Sequence, residues 1–184
     1  MTEAPAVTGI PAPATERRDD DIGRLVALTW HGSGARAVNS SNRWLVAVDG
    51  SACSLRAVAM AARLAALGDD GEVDIVHVEP WLVKEAAETE LARRSWAVTA
   101  PARELLDAAS VGWRLHVLMG EAASQIVGLA ETSGFAGSSG LNGLNGINGI
   151  VIGSRGQGMA ESLMLGSVAD KVVHQARLPV MIVR

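Results

Sequence analysis

Gly153, Gly156 and the pair Gly166-Ser167 stand in the spacing Gly-x2-Gly-x9-Gly-Ser, directly after the apolar run Ile150-Val151-Ile152. Glycines let a backbone approach phosphate oxygens closely and turn through positive φ. A helix that opens at Gly166-Ser167 presents free backbone N–H groups and the positive end of its dipole, and the Ser167 hydroxyl adds a hydrogen bond. The pattern predicts an anion site at the carboxyl end of a buried strand, where open α/β sheets hold their ligands. No Gly-x4-Gly-Lys-Ser/Thr phosphate loop exists, and Glu161 occupies the place of the third glycine of a dinucleotide fingerprint.

Each of these residues also has a plainer use. Gly153 and Gly156 suit a tight strand exit, and Ser167 suits a helix cap. Arg155 either pairs with phosphate or is solvated. Asp49 closes the run Leu45-Val46-Ala47-Val48; it either accepts from a ribose hydroxyl or an amine, or caps the helix after Gly50. His77 and His116 fall within strands and read as satisfied core imidazoles. Cys53, near a helix start, reads as a small packing residue. No cysteine or carboxylate cluster gives the histidines a metal-ligand context, and neither a nucleophile elbow nor a Ser/His/Asp spacing appears. Binding, not catalysis, is the leading expectation.

The elements that must position this loop follow from periodicity. Leu45 to Val48 reads as a parallel strand buried on both faces. Leu55, Val58, Ala59, Ala62 and Ala66 form a helical stripe that Gly68 ends, and Val73 to Val78 is a second strand closed by Glu79-Pro80. Residues 82–110 read as two helical pieces broken at Thr99-Ala100-Pro101, since proline disfavours helix in the residue before it. Trp113 to Leu118, Ile150 to Ile152 and Val180 to Val183 supply three more strands. Glu121 to Glu131 and a segment striped by Val168, Val172, Val173 and Ala176 supply the remaining helices. Alternation with right-handed crossovers predicts an open, Rossmann-like parallel sheet of five strands with helices on both faces.

A chain of 184 residues is long enough for one domain with a sizeable core. Residues 43–184 form that domain. Residues 1–42, with Pro5, Pro11, Pro13 and a Gly/Ser-rich stretch, read as a mostly disordered tail, Leu25 to Trp30 excepted as a segment able to dock. Glycine at every third position from Gly134 to Gly149 reads as a mobile loop insertion over 134–149. The net charge of −4 argues against a nucleic-acid partner, which normally meets a basic face. A lone Cys53 excludes an internal disulfide and fits a reducing cytoplasm. Neither a leader pattern nor ~18 consecutive apolar residues occurs, so no membrane partner is expected.

Over roughly residues 43–184 the sequence resembles the universal stress protein family. The resemblance rests on Leu45-Val46-Ala47-Val48-Asp49-Gly50-Ser51, on Val76-His77-Val78, and on Gly153 through Ser167 with Leu178-Pro179-Val180-Met181-Ile182-Val183. It implies strand order 3-2-1-4-5, an ATP-binding subclass and a homodimer in stress response; ATP is expected with Mg2+, and Val180 to Val183, an apolar edge in that order, is the expected dimer contact. Gly153, Gly156, Gly166 and Ser167 match the family's phosphate-contacting motif, with Arg155 and Val168 beside them. Asp49 matches the acid next to the adenosine, and Val78 the residue whose backbone meets adenine. Ala169 departs from the pattern, standing where some ATP-binding relatives carry a phosphate-touching hydroxyl.

Overall fold

A computed structural model describes residues 12–32, 34, 40–81, 87–135, 146–156 and 164–184, with backbone alone at 87 and 132–135. The expected domain carries five strands: β3 (Arg43–Ala47), β4 (Glu72–Glu79), β5 (Gly112–Met119), β6 (Ile147–Gly153) and β7 (Val180–Val183). Their crossovers are α1 (Ala52–Ala65), α2 (Ala87–Ala108), α3 (Ala122–Phe135) and α4 (Ser167–Gln175). All pairings among these strands are parallel.

The five-stranded parallel sheet is corrected to a mixed sheet of seven. Upstream lie β1 (Glu16–Asp19) and β2 (Leu25–His31), both antiparallel, and the order is β1-β2-β5-β4-β3-β6-β7 rather than 3-2-1-4-5. The parallel strands keep the arrangement β5-β4-β3-β6-β7 inside the larger sheet. Part of the supposed tail is therefore sheet. Leu25, Leu28 and Trp30 enter the core, and the Trp30 indole donates to the Ala12 carbonyl at 2.9 Å. Residues 1–11 lie outside the described residues.

Side-chain alternation along each strand divides the core in two. Val46, Ile75, Leu115 and Leu28 meet Ala57, Ala61 and Leu106 of α1 and α2, whereas Leu45, Val76, Leu118 and Ile150 meet Ile126, Ala130 and Val172 of α3 and α4. Small alanines let α1 lie close to the sheet. Among the described residues no helix is long and apolar enough to cross a membrane.

Two further expectations change. Residues 87–108 form one helix with Pro101 inside it, not two pieces. Proline removes one backbone donor, while the Thr99 hydroxyl donates to the Ser95 carbonyl at 2.7 Å and Arg103 Nη2 to the Trp96 carbonyl at 2.7 Å, in the turn before the proline. The glycine-triplet insertion is shorter than 134–149. Gly134 belongs to α3, and 147–149 belong to β6, where a Cβ on Gly149 would stand 2.9 Å from the Pro179 carbonyl and from the Trp44 ring. Residues 136–145 lie outside the described residues.

Opposite the strand ends that bear the glycine loop, the α3/α4 face buries a charged network. Arg43 Nη2 lies 2.9 Å from both carboxylate oxygens of Asp74, and Arg43 Nε 3.1 Å from Oδ2. His116 Nε2 lies 2.8 Å from Asp74 Oδ1, its Nδ1 3.4 Å from the Thr29 hydroxyl, and Arg114 Nη2 2.8 Å from Glu72. Strands β2, β3, β4 and β5 are thus joined by side chains as well as by backbone. Burial pushes the Asp74 carboxyl up, but the His116 and Arg43 contacts outweigh it, and the net direction is down.

Candidate functional site

The cavity opens where strand order reverses. From β3 the chain crosses to β4 by α1 on one face, and it enters β6 from α3 on the other, so the carboxyl ends of β3 and β6 diverge and leave a crevice between them. A cavity of about 520 Å³ occupies it, within the ~300–1,000 Å³ range of small-molecule sites.

All eight residues singled out from the sequence line this cavity: Asp49, Val78, Gly153, Arg155, Gly156, Gly166, Ser167 and Val168. They come from four places. Asp49 leaves β3, Val78 stands near the end of β4, Gly153 to Gly156 leave β6, and Gly166 to Val168 open α4.

The glycines turn out to have different tasks. A Cβ on Gly153 would lie 2.8 Å from the Cys53 backbone carbon, so this glycine lets β6 pass the start of α1. At Gly156 a Cβ would lie 2.6 Å from Asp49 Oδ2, so glycine lets the loop close on the carboxylate without moving the end of that side chain. Gly166 is the N-cap of α4, and a Cβ there would stand 3.3 Å from the Arg155 Cα. Its own N–H is spent on the Ser154 carbonyl at 2.8 Å. The donors at the helix start are therefore the first-turn amides of Ser167, Val168 and Ala169, and the N-cap residue, a glycine, has no side chain to cap them.

Asp49 is not the helix cap. Ser51 takes that role, its hydroxyl accepting from the Ser54 N–H at 3.2 Å, while Asp49 Oδ1 accepts from the Ser51 N–H at 3.0 Å across Gly50, whose φ is +82°. The bond aims the carboxylate across the crevice mouth. Arg155 is half-buried and makes no ion pair among the described residues. Its carbonyl meets the Ser51 hydroxyl at 3.5 Å, which ties the loop after β6 to the loop after β3. Gln157 and Gly158 of the glycine loop lie outside the described residues.

His77 and His116 are both satisfied, as expected, but His77 also lines the cavity together with Glu79. Sequence reasoning passed over Glu79. Its position two residues beyond His77 at a strand end, which puts both on one face, was the available signal. Ala122 and Ile126 of α3, Val98 of α2 and Ala169 of α4 supply apolar walls. Among the described residues no group of three or more metal-ligating side chains is present.

The cavity is bipolar: a helix N-terminus and Arg155 on the β6 side, and the carboxylates of Asp49 and Glu79 on the β3–β4 side. Such a site suits an elongated ligand that is anionic at one end and offers hydroxyl or amine donors at the other.

Comparison with known proteins agrees with the architecture. No curated protein matches the sequence. Among solved structures, a universal stress protein from Archaeoglobus fulgidus has 25% identity and a TM-score of 0.60, covering 78% of this chain and 98% of its own. One from the same organism in complex with dAMP has 23% identity and a TM-score of 0.57, covering 78% and 98%. A universal stress protein in complex with cAMP has 22% identity and a TM-score of 0.56, covering 78% and 96%. The family model described as the universal stress protein family matches residues 41–184, and the chain belongs to that family.

Proposed function

We propose that this chain is a regulatory nucleotide-binding module of the stress response whose cavity holds ATP. The observation that carries this reading is the convergence, in one cavity, of the glycine-spaced loop, the uncapped start of α4, Asp49 and Val78. The amides of Ser167, Val168 and Ala169, the Ser167 hydroxyl and the Arg155 guanidinium receive the phosphates, and the helix dipole adds up to ~2 kcal/mol in a partly buried geometry. Asp49 accepts from the ribose hydroxyls, and the Val78 backbone meets the base. Solved relatives in complex with dAMP and cAMP support a nucleotide of this general shape. Mg2+ fits as an ion carried on the phosphates, with most of its coordination completed by water.

Mass spectrometry of the protein purified under native conditions, followed by titration with ATP and magnesium, tests the proposal. A co-purifying nucleotide, or heat of binding at submillimolar ATP, is the expected result. No heat at millimolar ATP overturns it and leaves a second reading, a scaffold without useful nucleotide affinity. Ala169 favours that alternative, because it lines the cavity but offers no hydroxyl.

Occupancy has a route to the protein surface. The Ser154 carbonyl accepts from Gly166 N–H at 2.8 Å, and the Ser154 N–H donates to the Val183 carbonyl at 2.7 Å, so the glycine loop is bonded to both α4 and β7. Strand β7 is the sheet edge, and Met181 and Ile182 are exposed. We place the homodimer contact there, two copies pairing antiparallel through backbone groups that the edge leaves open. Ile150 and Ser154 donate to Pro179 and Val183; by strand alternation Met181 faces β6, and Val180 and Ile182 point their donors outward. Ile182→Pro should therefore raise the dimer dissociation constant at least ~10-fold, and Ile182→Lys should weaken it without removing a donor. Sedimentation that finds wild type monomeric at tens of micromolar, with and without ATP, rejects the assembly.

A further inference from the structure

The β4 wall of the cavity carries a polar pair, His77 and Glu79, that none of the phosphate or ribose contacts employs. His77 Nδ1 lies 2.7 Å from the Val48 carbonyl, which can only accept, so Nδ1 carries a proton and donates it. Nε2 lies 3.2 Å from Glu79 Oε1. The imidazole lies between the backbone of β3 and one oxygen of the carboxylate. Glu79 Oε2 makes no hydrogen bond among the described residues, in a residue that lines the cavity and whose side chain is 18% exposed. A carboxylate at a cavity wall, with one oxygen against the imidazole, keeps its other oxygen as an acceptor for a single N–H donor.

Position decides which donor. The anion end belongs to β6 and α4, Asp49 to β3, and the His77–Glu79 pair to β4, in the spatial order β6-β3-β4. Two strand spacings separate the ends, ~10 Å, about the reach of a nucleoside monophosphate from phosphorus to the far edge of a purine. Asp49 lies in the middle, at ribose depth.

We infer that Glu79 is a specificity-determining residue that reads the base: Oε2 accepts an N–H of the adenine exocyclic amine and repels purines that present a carbonyl oxygen there, while His77 acts as its positioning residue. The inference rests on the nucleotide reading of the cavity. A hydrogen bond to a charged acceptor gives about 10–100-fold discrimination.

The test is calorimetric titration of the full chain with ATP and with ITP, each with magnesium, the second nucleotide differing by a carbonyl in place of the amine. Wild type should prefer ATP at least ~10-fold. In Glu79→Ala the ratio of the two affinities should fall to near unity. Glu79→Gln keeps the size of the side chain and can donate as well as accept, so it too should lose the preference, and His77→Ala should reduce it. A merely structural role would lower both affinities and leave their ratio unchanged. Equal binding of ATP and ITP by wild type overturns the inference alone, as does a wild-type ratio retained in both Glu79 variants. Binding of neither nucleotide overturns the nucleotide reading and the inference with it.

Discussion

Asp74→Asn should destabilise the fold by about 3–5 kcal/mol, the range for breaking a buried ion pair from one side, and lower the melting temperature by about 6–20 °C in a domain of this size. The carboxylate is 1% exposed and receives Arg43 through three hydrogen bonds and His116 through one. Asparagine fills the same space but carries no charge and offers one acceptor oxygen in place of two. Two guanidiniums, Arg43 and Arg114, then face one carboxylate, Glu72, inside the α3/α4 face of the sheet. Replacing Asp74 and Arg43 together by leucine should cost less than the two single changes added, because both charges leave at once. A denaturation midpoint corresponding to less than ~1 kcal/mol of loss for Asp74→Asn would show that the network contributes little.

The same carboxyl sets an acid limit. Folding holds its pKa below the ordinary value of 3.8, so its stabilisation is complete above that value and disappears as pH falls through the lower folded value. Wild type should lose stability on acidification below about pH 4, and Asp74→Asn should show a flatter acid limb.

The second large effect concerns the glycine loop. Gly156→Val and Gly166→Val should each weaken ATP binding at least ~100-fold, the equivalent of losing two charge-assisted hydrogen bonds. The steric causes differ. At Gly156 the first added carbon already meets Asp49 Oδ2 at 2.6 Å, so even Gly156→Ala must displace the carboxylate. At Gly166 the first carbon meets Arg155 Cα at 3.3 Å and the Ser154 carbonyl at 3.4 Å, backbone atoms that must give by a few tenths of an ångström. Valine's further methyls drive the loop away from α4. Calorimetry should therefore find each alanine variant milder than its valine counterpart, since Gly156→Ala displaces only the end of the Asp49 side chain and Gly166→Ala asks the backbone for a few tenths of an ångström. Equal affinities across wild type and all four variants would remove the glycine loop from the binding site.

How much of this was legible in the sequence depended on what holds each element in place. Strands β3, β4 and β6 are buried on both faces, so their apolar runs announced them. The eight site residues converge because strand ends at a topological reversal converge by geometry; spacing carried Gly153, Gly156, Gly166 and Ser167, whereas Val78 followed only from the family resemblance. Strand β1 was not legible. Glu16, Arg17, Arg18 and Asp19 are all exposed, and what places them is backbone pairing with β2, for which no side-chain pattern is needed. Unbroken α2 was hidden for a related reason: the donors beside Pro101 come from Thr99 and Arg103, whose directions no periodicity encodes. Glu79 looked like a strand-closing residue, and only the structure places it at the cavity wall beside His77.

The charged hairpin strand has a consequence for how far assembly can run. A sheet with two adhesive edges can add copies without end, as cross-β fibrils do. Here β1 covers the flank of β2, and its four residues, Glu16, Arg17, Arg18 and Asp19, are all charged and exposed, which makes its edge poorly suited to strand addition. Edge valence is thereby one, supplied by β7. In the proposed dimer, a contact between like β7 edges uses that edge on both copies and leaves the charged β1 strands as the outer edges of the joined sheet.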